Sequence, residues 1–414
     1  MTRPSTAPAR PAPDRSPADR PGAASFAAVR PAEAAHTATS AAPFDPAEGV
    51  QFLAPDGRLR RNARNEPYAA IVDALDEGTL RALYRDMAVM RRLDAEATAL
   101  QRQGQLALWV PSVGQEGAQV GAGRATRAQD WVMPSYREHV IGMIRGVDFV
   151  DLLRMLRGVT HGGWDWRATH FHLYTLVIGT QALHGTGYAQ GVALDGLVGT
   201  GDPARDTAVL TCFGDGATSE GDVSEAMVYA ESLHVPEVFL CQNNQWAISV
   251  PTGVQAARPI ADRAAGFGLR AERIDGNDVL AAYAVTRAQL DAARAGEGPG
   301  LVEAVTFRMG AHTTSDDPTK YRTRELEQAW AERDPIARYE TWLRHDRDVP
   351  QTFFDEVAAF AEAEARRVRE AVPALPDPDP VSMFAHVYTE PNPVTEAQAA
   401  WLADYEAGFE DEEA

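Results

Sequence analysis

Residues 207–251 read TAVLTCFGDGATSEGDVSEAMVYAESLHVPEVFLCQNNQWAISVP, and the succession of elements within them sets the fold class. A β-branched, apolar run ends at Cys212-Phe213 and the chain passes through Gly214-Asp215-Gly216. A helical segment follows, and a second apolar run, Val238-Phe239-Leu240-Cys241, leads to Asn243-Asn244. Strand, turn, helix, strand is a βαβ unit. Its crossover makes the two strands parallel and brings their carboxyl ends, with Asp215 and Asn244, to one edge of the sheet. Open parallel sheets bind ligands at that edge. The expected fold is α/β, a parallel sheet with helices on both faces.

The residue types at that edge suit a metal-bound diphosphate. Asp215 offers a carboxylate oxygen and Asn244 an amide oxygen, hard donors of the kind Mg²⁺ accepts before filling its octahedron with phosphate oxygens. Gly214 and Gly216 let the backbone approach closely, and Ser219 and Asp222 are placed to cap the following helix, turning its positive end to the phosphates. A lone GDG is a common turn. GDG, then 26 residues, then Asn243-Asn244 closing the next strand is a far more specific pattern.

Working outward, the 414 residues can bury a large core, and 45% hydrophobic content is ordinary for a globular chain. A net charge of -20 argues against nucleic acid or an anionic membrane as a partner. Cys212 and Cys241 both fall in apolar strands, as free buried thiols of a reducing compartment do. Lys320 is the only lysine, which excludes a P-loop and argues against pyridoxal-phosphate chemistry. Residues 1–45, rich in Pro, Ala, Arg and Ser, hold no apolar run of signal or membrane-span length and are expected to be a disordered tail. Its prolines, Asp14 and Asp19 do not suit a transit peptide, so a cytoplasmic location is expected. Residues 46–345 are expected to form the ligand-binding α/β domain with a helical lead-in. Residues 346–414 should be a helical segment with an acidic, disordered end.

Leu80, Leu83, Met87, Met90 and Leu93 recur at three- and four-residue spacing and predict a core-facing helix over 79–101. A small-residue helix should start in the stretch 111–117. Trp131-Val132-Met133 reads as a strand running into Tyr136-Arg137, which places a phenol and a guanidinium at the ligand edge; arginine's planar fork matches a phosphate. Between His161 and Gln190, histidines and aromatics are dense. His170 and His172 would share a face if extended, but no cysteine or paired-histidine cluster supports zinc, and the segment reads as a pocket wall. The strand predicted over 300–308 runs into a polar loop, Gly310-Ala311-His312-Thr313-Thr314-Ser315-Asp316-Asp317, which could bring His312 to the same edge as Asp215.

Four separated motifs now stand in order: Pro134-Ser135-Tyr136-Arg137-Glu138, the GDG at Gly214, Asn243-Asn244, and the 310–317 loop. Together they resemble the alpha subunits of the thiamine diphosphate-dependent decarboxylating component of 2-oxo acid dehydrogenase complexes, the branched-chain members above all, over about residues 50–390. The resemblance implies that Tyr136 and Arg137 hold the diphosphate, and that Asp215, Asn244 and the Trp246 carbonyl bind Mg²⁺. It also implies that Gly216 and Ala217 line the phosphate cradle, that Ile178 lies beside the pyrimidine, and that His312 is the catalytic histidine. Gln242 stands where several branched-chain members have a phosphate-binding arginine. Thr175, Thr180 and Gln181 fall where some members hold potassium, but Leu176-Val177 replace the small residues found there, which weakens the expectation of K⁺. Thr313 stands where animal enzymes have a regulated serine. The implied partners are a beta subunit in an alpha2beta2 heterotetramer, a lipoyl acyltransferase core and a 2-oxo acid, with pyruvate or acetoin dehydrogenase as the alternative. Outside that class, Asp215 could serve a Mg²⁺-dependent phosphatase, or the chain could be a non-catalytic scaffold.

Overall fold

The computed structural model describes residues 43–160 and 162–410. The expected N-terminal tail falls outside them except for residues 43–45, and so do His161 and the acidic end at 411–414. Phe44, at the tail's predicted edge, is buried with Trp246, Val305, Phe307 and Trp330.

Among the described residues seven strands form: β1 (Trp131–Met133), β2 (Val209–Gly214), β3 (Glu237–Asn243), β4 (Trp246–Ala247), β5 (Val250–Pro251), β6 (Arg270–Asp275) and β7 (Gly300–Val305). Five of them make one sheet in the order β1-β2-β3-β7-β6, and all four pairings are parallel. β4 and β5 pair as a small antiparallel hairpin just past β3. Every residue of β3 and β7 is buried, as central strands covered on both faces must be.

The period of two along the strands sorts the core into layers. Leu210, Cys212, Val238 and Leu240 face the helices Glu116–Ala125 and Val279–Arg294, with the long helix Glu77–Arg102 behind them. Val209, Phe213, Phe239 and Cys241 face the helices Thr180–Leu194, Gly221–Ser232 and Ala261–Phe267. The two cysteines therefore point into opposite layers, and both are free; burial pushes each thiol well up.

Glu77–Arg102 buries the five predicted apolar positions and begins at Asp76, whose carboxylate accepts the Thr79 N–H at 2.6 Å. The helix Pro335–Asp346 opens with Pro335, where proline's missing N–H is no loss, and Pro350 is the N-cap of Gln351–Ala371. The expected capping by Ser219 and Asp222 does not occur. Gly221–Ser232 has no side-chain cap, and the Ser219 hydroxyl donates instead to Gln255 Oε1 at 3.0 Å, because residues 215–219 form a 3₁₀ turn that carries Ser219 away from the helix start. Among the described residues no helix is long and apolar enough to cross a membrane.

Candidate active site

Loops at the carboxyl ends of β1, β2, β3 and β7 enclose a cleft of about 400 Å³. All ten residues singled out from the motifs line it: Tyr136, Arg137, Ile178, Asp215, Gly216, Ala217, Gln242, Asn244, Trp246 and His312.

Asp215 opens the turn that ends β2 and is 1% exposed. Its Oδ2 accepts from Thr252 Oγ1 at 2.8 Å and from Gln255 Nε2 at 3.3 Å. Burial pushes its carboxyl up to about 6, against the opposing pull of those hydrogen bonds and of Arg308. Asn244 Oδ1 accepts the Trp246 backbone N–H at 3.2 Å. A Cβ built on Gly216 would lie 2.9 Å from Ala247 Cβ, so glycine lets the turn nest against the β4–β5 hairpin.

At the end of β1, Glu138 anchors the Ser-Tyr-Arg turn from beneath. Its buried carboxylate accepts from Ser135 N and Oγ, both at 2.8 Å, and from Gln242 Nε2 at 2.5 Å. Gln242 Oε1 accepts from Gln119 Nε2 at 3.0 Å, so Gln242 is tied at both ends of its amide.

Arg137 donates to the Pro111 carbonyl, to the His312 carbonyl at 3.1 Å and to His312 Nδ1 at 3.2 Å. Arg308 Nη1 approaches the same ring nitrogen at 3.4 Å. A guanidinium can only donate, so Nδ1 is the acceptor and the ring proton sits on Nε2. Burial, reinforced by the charges of Arg137 and Arg308, pushes the imidazole down to about 3. His312 is therefore a neutral N–H donor at ordinary pH. Its backbone N–H donates to Asp316 Oδ2 at 2.7 Å, and Asp316 is bonded to the Tyr321 hydroxyl, which in turn accepts from Arg308 Nη2 at 2.9 Å.

Arg308 has no counterpart among the residues singled out from the sequence. Its only signal there was its position just past a predicted strand, four residues before His312. Gln115 and Glu138, which also line the cleft, carried no signal beyond the motifs around them. Among the described residues, the histidine-rich segment supplies the cleft with Leu176, Ile178 and Gln181 rather than with histidines. His170 adopts a left-handed backbone (φ 52°) and stacks on Trp131, so it does not share an extended face with His172. Among the described residues no group of three or more His, Cys, Asp or Glu side chains is placed to hold a metal. Asp215, Asn244 and the Trp246 carbonyl are a different kind of set, one acid with two neutral oxygens. Gln181 Nε2 donates to the Cys212 carbonyl at 2.9 Å.

A family model described as the dehydrogenase E1 component matches residues 84–376, a span that contains every residue of the cleft. The chain belongs to the dehydrogenase E1 component family. Among its relatives, the 3-methyl-2-oxobutanoate dehydrogenase subunit alpha of Mycobacterium tuberculosis is 44% identical over 360 residues, 86% of this chain and 93% of the relative. The pyruvate dehydrogenase E1 component subunit alpha of Acholeplasma laidlawii is 34% identical over 332 residues, covering 78% of this chain and 92% of that one. That of Bacillus subtilis is 36% identical over 279 residues, 67% of this chain and 73% of that one. The E1 match covers β1 to β7 and both helical layers.

Proposed function

We propose that this chain is the alpha subunit of a branched-chain 2-oxo acid dehydrogenase, an oxidoreductase that works with thiamine diphosphate and Mg²⁺ and is completed by a beta subunit. The observation that carries this reading is the convergence of Tyr136, Arg137, Asp215, Asn244 and His312, which lie up to 176 residues apart in sequence, on one cleft at the carboxyl edge of a parallel sheet. The name of the 44% identical relative supports the branched-chain substrate.

The donor set fits the cation. Asp215 contributes one carboxylate, Asn244 Oδ1 has a lone pair beyond the one that meets the Trp246 N–H, and the Trp246 carbonyl can accept Arg308 Nη1 at 3.3 Å and still face a cation. A divalent charge beside Asp215 would hold its carboxyl ionised despite burial.

When bound, thiamine diphosphate supplies the nucleophilic carbon and the electron sink for loss of carbon dioxide. This chain's residues bind and orient. Tyr136 and Arg137 would hold the diphosphate, Ile178 would lie beside the pyrimidine, and His312, with its proton on Nε2, would donate a hydrogen bond at the reacting centre and to an incoming lipoyl arm. Leu176 and Ile248 stand 57% and 55% exposed at the cleft's mouth beside Val177 at 72%. Such an exposed apolar rim suits a covering partner, and the beta subunit of an alpha2beta2 heterotetramer is the partner proposed. The acyltransferase core of the complex and a cytoplasmic location complete the proposal.

The test is turnover of the chain reconstituted with its beta subunit across 2-oxo acids. Preference for branched 2-oxo acids over pyruvate is the expected result; preference for pyruvate would overturn the substrate assignment.

A further inference from the structure

The Trp246 backbone N–H settles the orientation of two side-chain amides. It can only donate, and it lies 3.2 Å from one branch of the Asn244 amide, so that branch is Oδ1. The other branch, Nδ2, then donates to Gln115 Oε1 at 3.2 Å. Gln115 is left with Nε2 as its second branch. Gln115 is 1% exposed, lines the cleft, and its Nε2 has no hydrogen-bond partner.

The side chain is held in place from its own backbone. Gln115 is the N-cap of Glu116–Ala125 without making a side-chain capping bond, and its N–H donates to the Ser112 carbonyl at 2.9 Å. Buried donors are almost always paired. One left unpaired in the wall of a cleft, next to a residue of the oxygen-donor set, is prepared for an acceptor that enters with the ligand. The amide hydrogens carry positive charge, so the acceptor is an anionic oxygen and not the cation. Gln242, in contrast, already has its amide tied to Glu138 and Gln119.

We propose that Gln115 is a diphosphate-binding residue: Nε2 donates to a phosphate oxygen, while Oε1, through Asn244 Nδ2, keeps Asn244 Oδ1 turned to the cation. The inference rests on the reading of the cleft as a Mg²⁺-diphosphate site. It gives the cradle a neutral donor beside Asn244.

The experiment uses the full chain co-purified with its beta partner and stripped of metal and cofactor. Titration calorimetry measures thiamine diphosphate affinity at saturating Mg²⁺ and the Mg²⁺ requirement at saturating cofactor. Gln115→Met removes both the donor and the hold on Asn244. It is expected to weaken cofactor binding on the order of tenfold, the size of a hydrogen bond to a charged group, and to raise the Mg²⁺ requirement; because the variant removes an unpaired buried donor along with the acceptor for Asn244 Nδ2, the melting temperature of the stripped protein is expected to change little. Gln115→Glu keeps an acceptor for Asn244 and removes the donor; it should weaken cofactor binding without raising the Mg²⁺ requirement. Wild-type affinity in both variants would overturn the proposal, as would losses matched by a fall in the stripped protein's melting temperature. Failure of the wild type to bind thiamine diphosphate would instead overturn the underlying reading of the cleft.

Discussion

Two residues of the cleft have protonation states set by their surroundings, and each yields a test. His312 is held near 3 by burial and two guanidiniums, so it is neutral throughout the range in which the enzyme would work. Its stability contribution is present above the unfolded histidine value of about 6.5 and is lost as pH falls below that toward 3. His312→Ala should retain cofactor affinity but slow acyl transfer to a lipoyl domain more than decarboxylation with an artificial electron acceptor, on the order of 10² to 10³-fold, the range of one preorganised hydrogen-bond donor. Equal losses in the two assays on one preparation would remove the transfer-specific role, and full activity in both would make His312 structural. Asp215 is shifted the other way, up to about 6. In the metal-free protein the folded state therefore loses stability as pH rises from about 4 to 6, by about 3 kcal/mol in all. Asp215→Asn, still able to accept from Thr252, should be more stable than wild type in the stripped state at pH 8 and similar at pH 4, while losing Mg²⁺-dependent cofactor binding. Urea unfolding at the two pH values measures the first effect and calorimetry the second; unchanged cofactor affinity would sink the metal assignment.

At the level of elements, the cleft depends on how closely Glu116–Ala125 lies on Val279–Arg294. A Cβ on Gly121 would come within 2.5 Å of Ala282 Cβ and 2.7 Å of the Tyr283 nitrogen, and one on Gly117 within 2.8 Å of the Gly276 carbonyl. The helix therefore packs backbone to backbone, and Gln115 at its start and Gln119 within it reach the cleft and Gln242 because of that approach. Gly121→Ala should push the helices apart, destabilise the chain by about 1–3 kcal/mol, and weaken cofactor binding although Gly121 touches no ligand. Thermal melts with and without cofactor test both; an unshifted melting temperature would show that the interface yields freely. The glycines were visible as small residues from the start, but which surface they met was not. A helix carries its spacing in the sequence, whereas its neighbour is chosen by the crossover order of the strands.

For the molecule as a whole, the cleft opens through an apolar rim at Leu176, Val177 and Ile248. If the beta subunit covers that rim, a charge there should prevent assembly without unfolding the chain. Val177→Asp is expected to lower the fraction of heterotetramer seen by analytical ultracentrifugation with the chain's own circular dichroism unchanged; normal assembly would exclude Val177 from the contact. Completion by a beta subunit also predicts that the chain alone has no decarboxylase turnover and that mixing with the beta subunit restores it. Robust activity of the isolated chain would overturn it.

Sequence alone carried the parallel α/β fold, because strands buried on both faces must be apolar along their whole length and the helices between them must repeat at 3.6. Tyr136, Arg137, Asp215, Gly216, Asn244 and His312 were legible because phosphate approach and metal coordination admit few residue types and those types stood at or just past predicted strand ends, whereas Ile178, Ala217, Gln242 and Trp246 came only from the family resemblance; all ten line one cleft. Arg308, the proton position on His312 and the unpaired amide of Gln115 were decided only in three dimensions. Each is a relation between groups far apart in sequence: Arg137 and Arg308 meeting on one ring nitrogen, or a backbone N–H at Trp246 orienting an amide at Gln115 through Asn244. Hydrogen-bond direction depends on distance and donor identity at the point of contact, and neither leaves a period or a spacing in the chain.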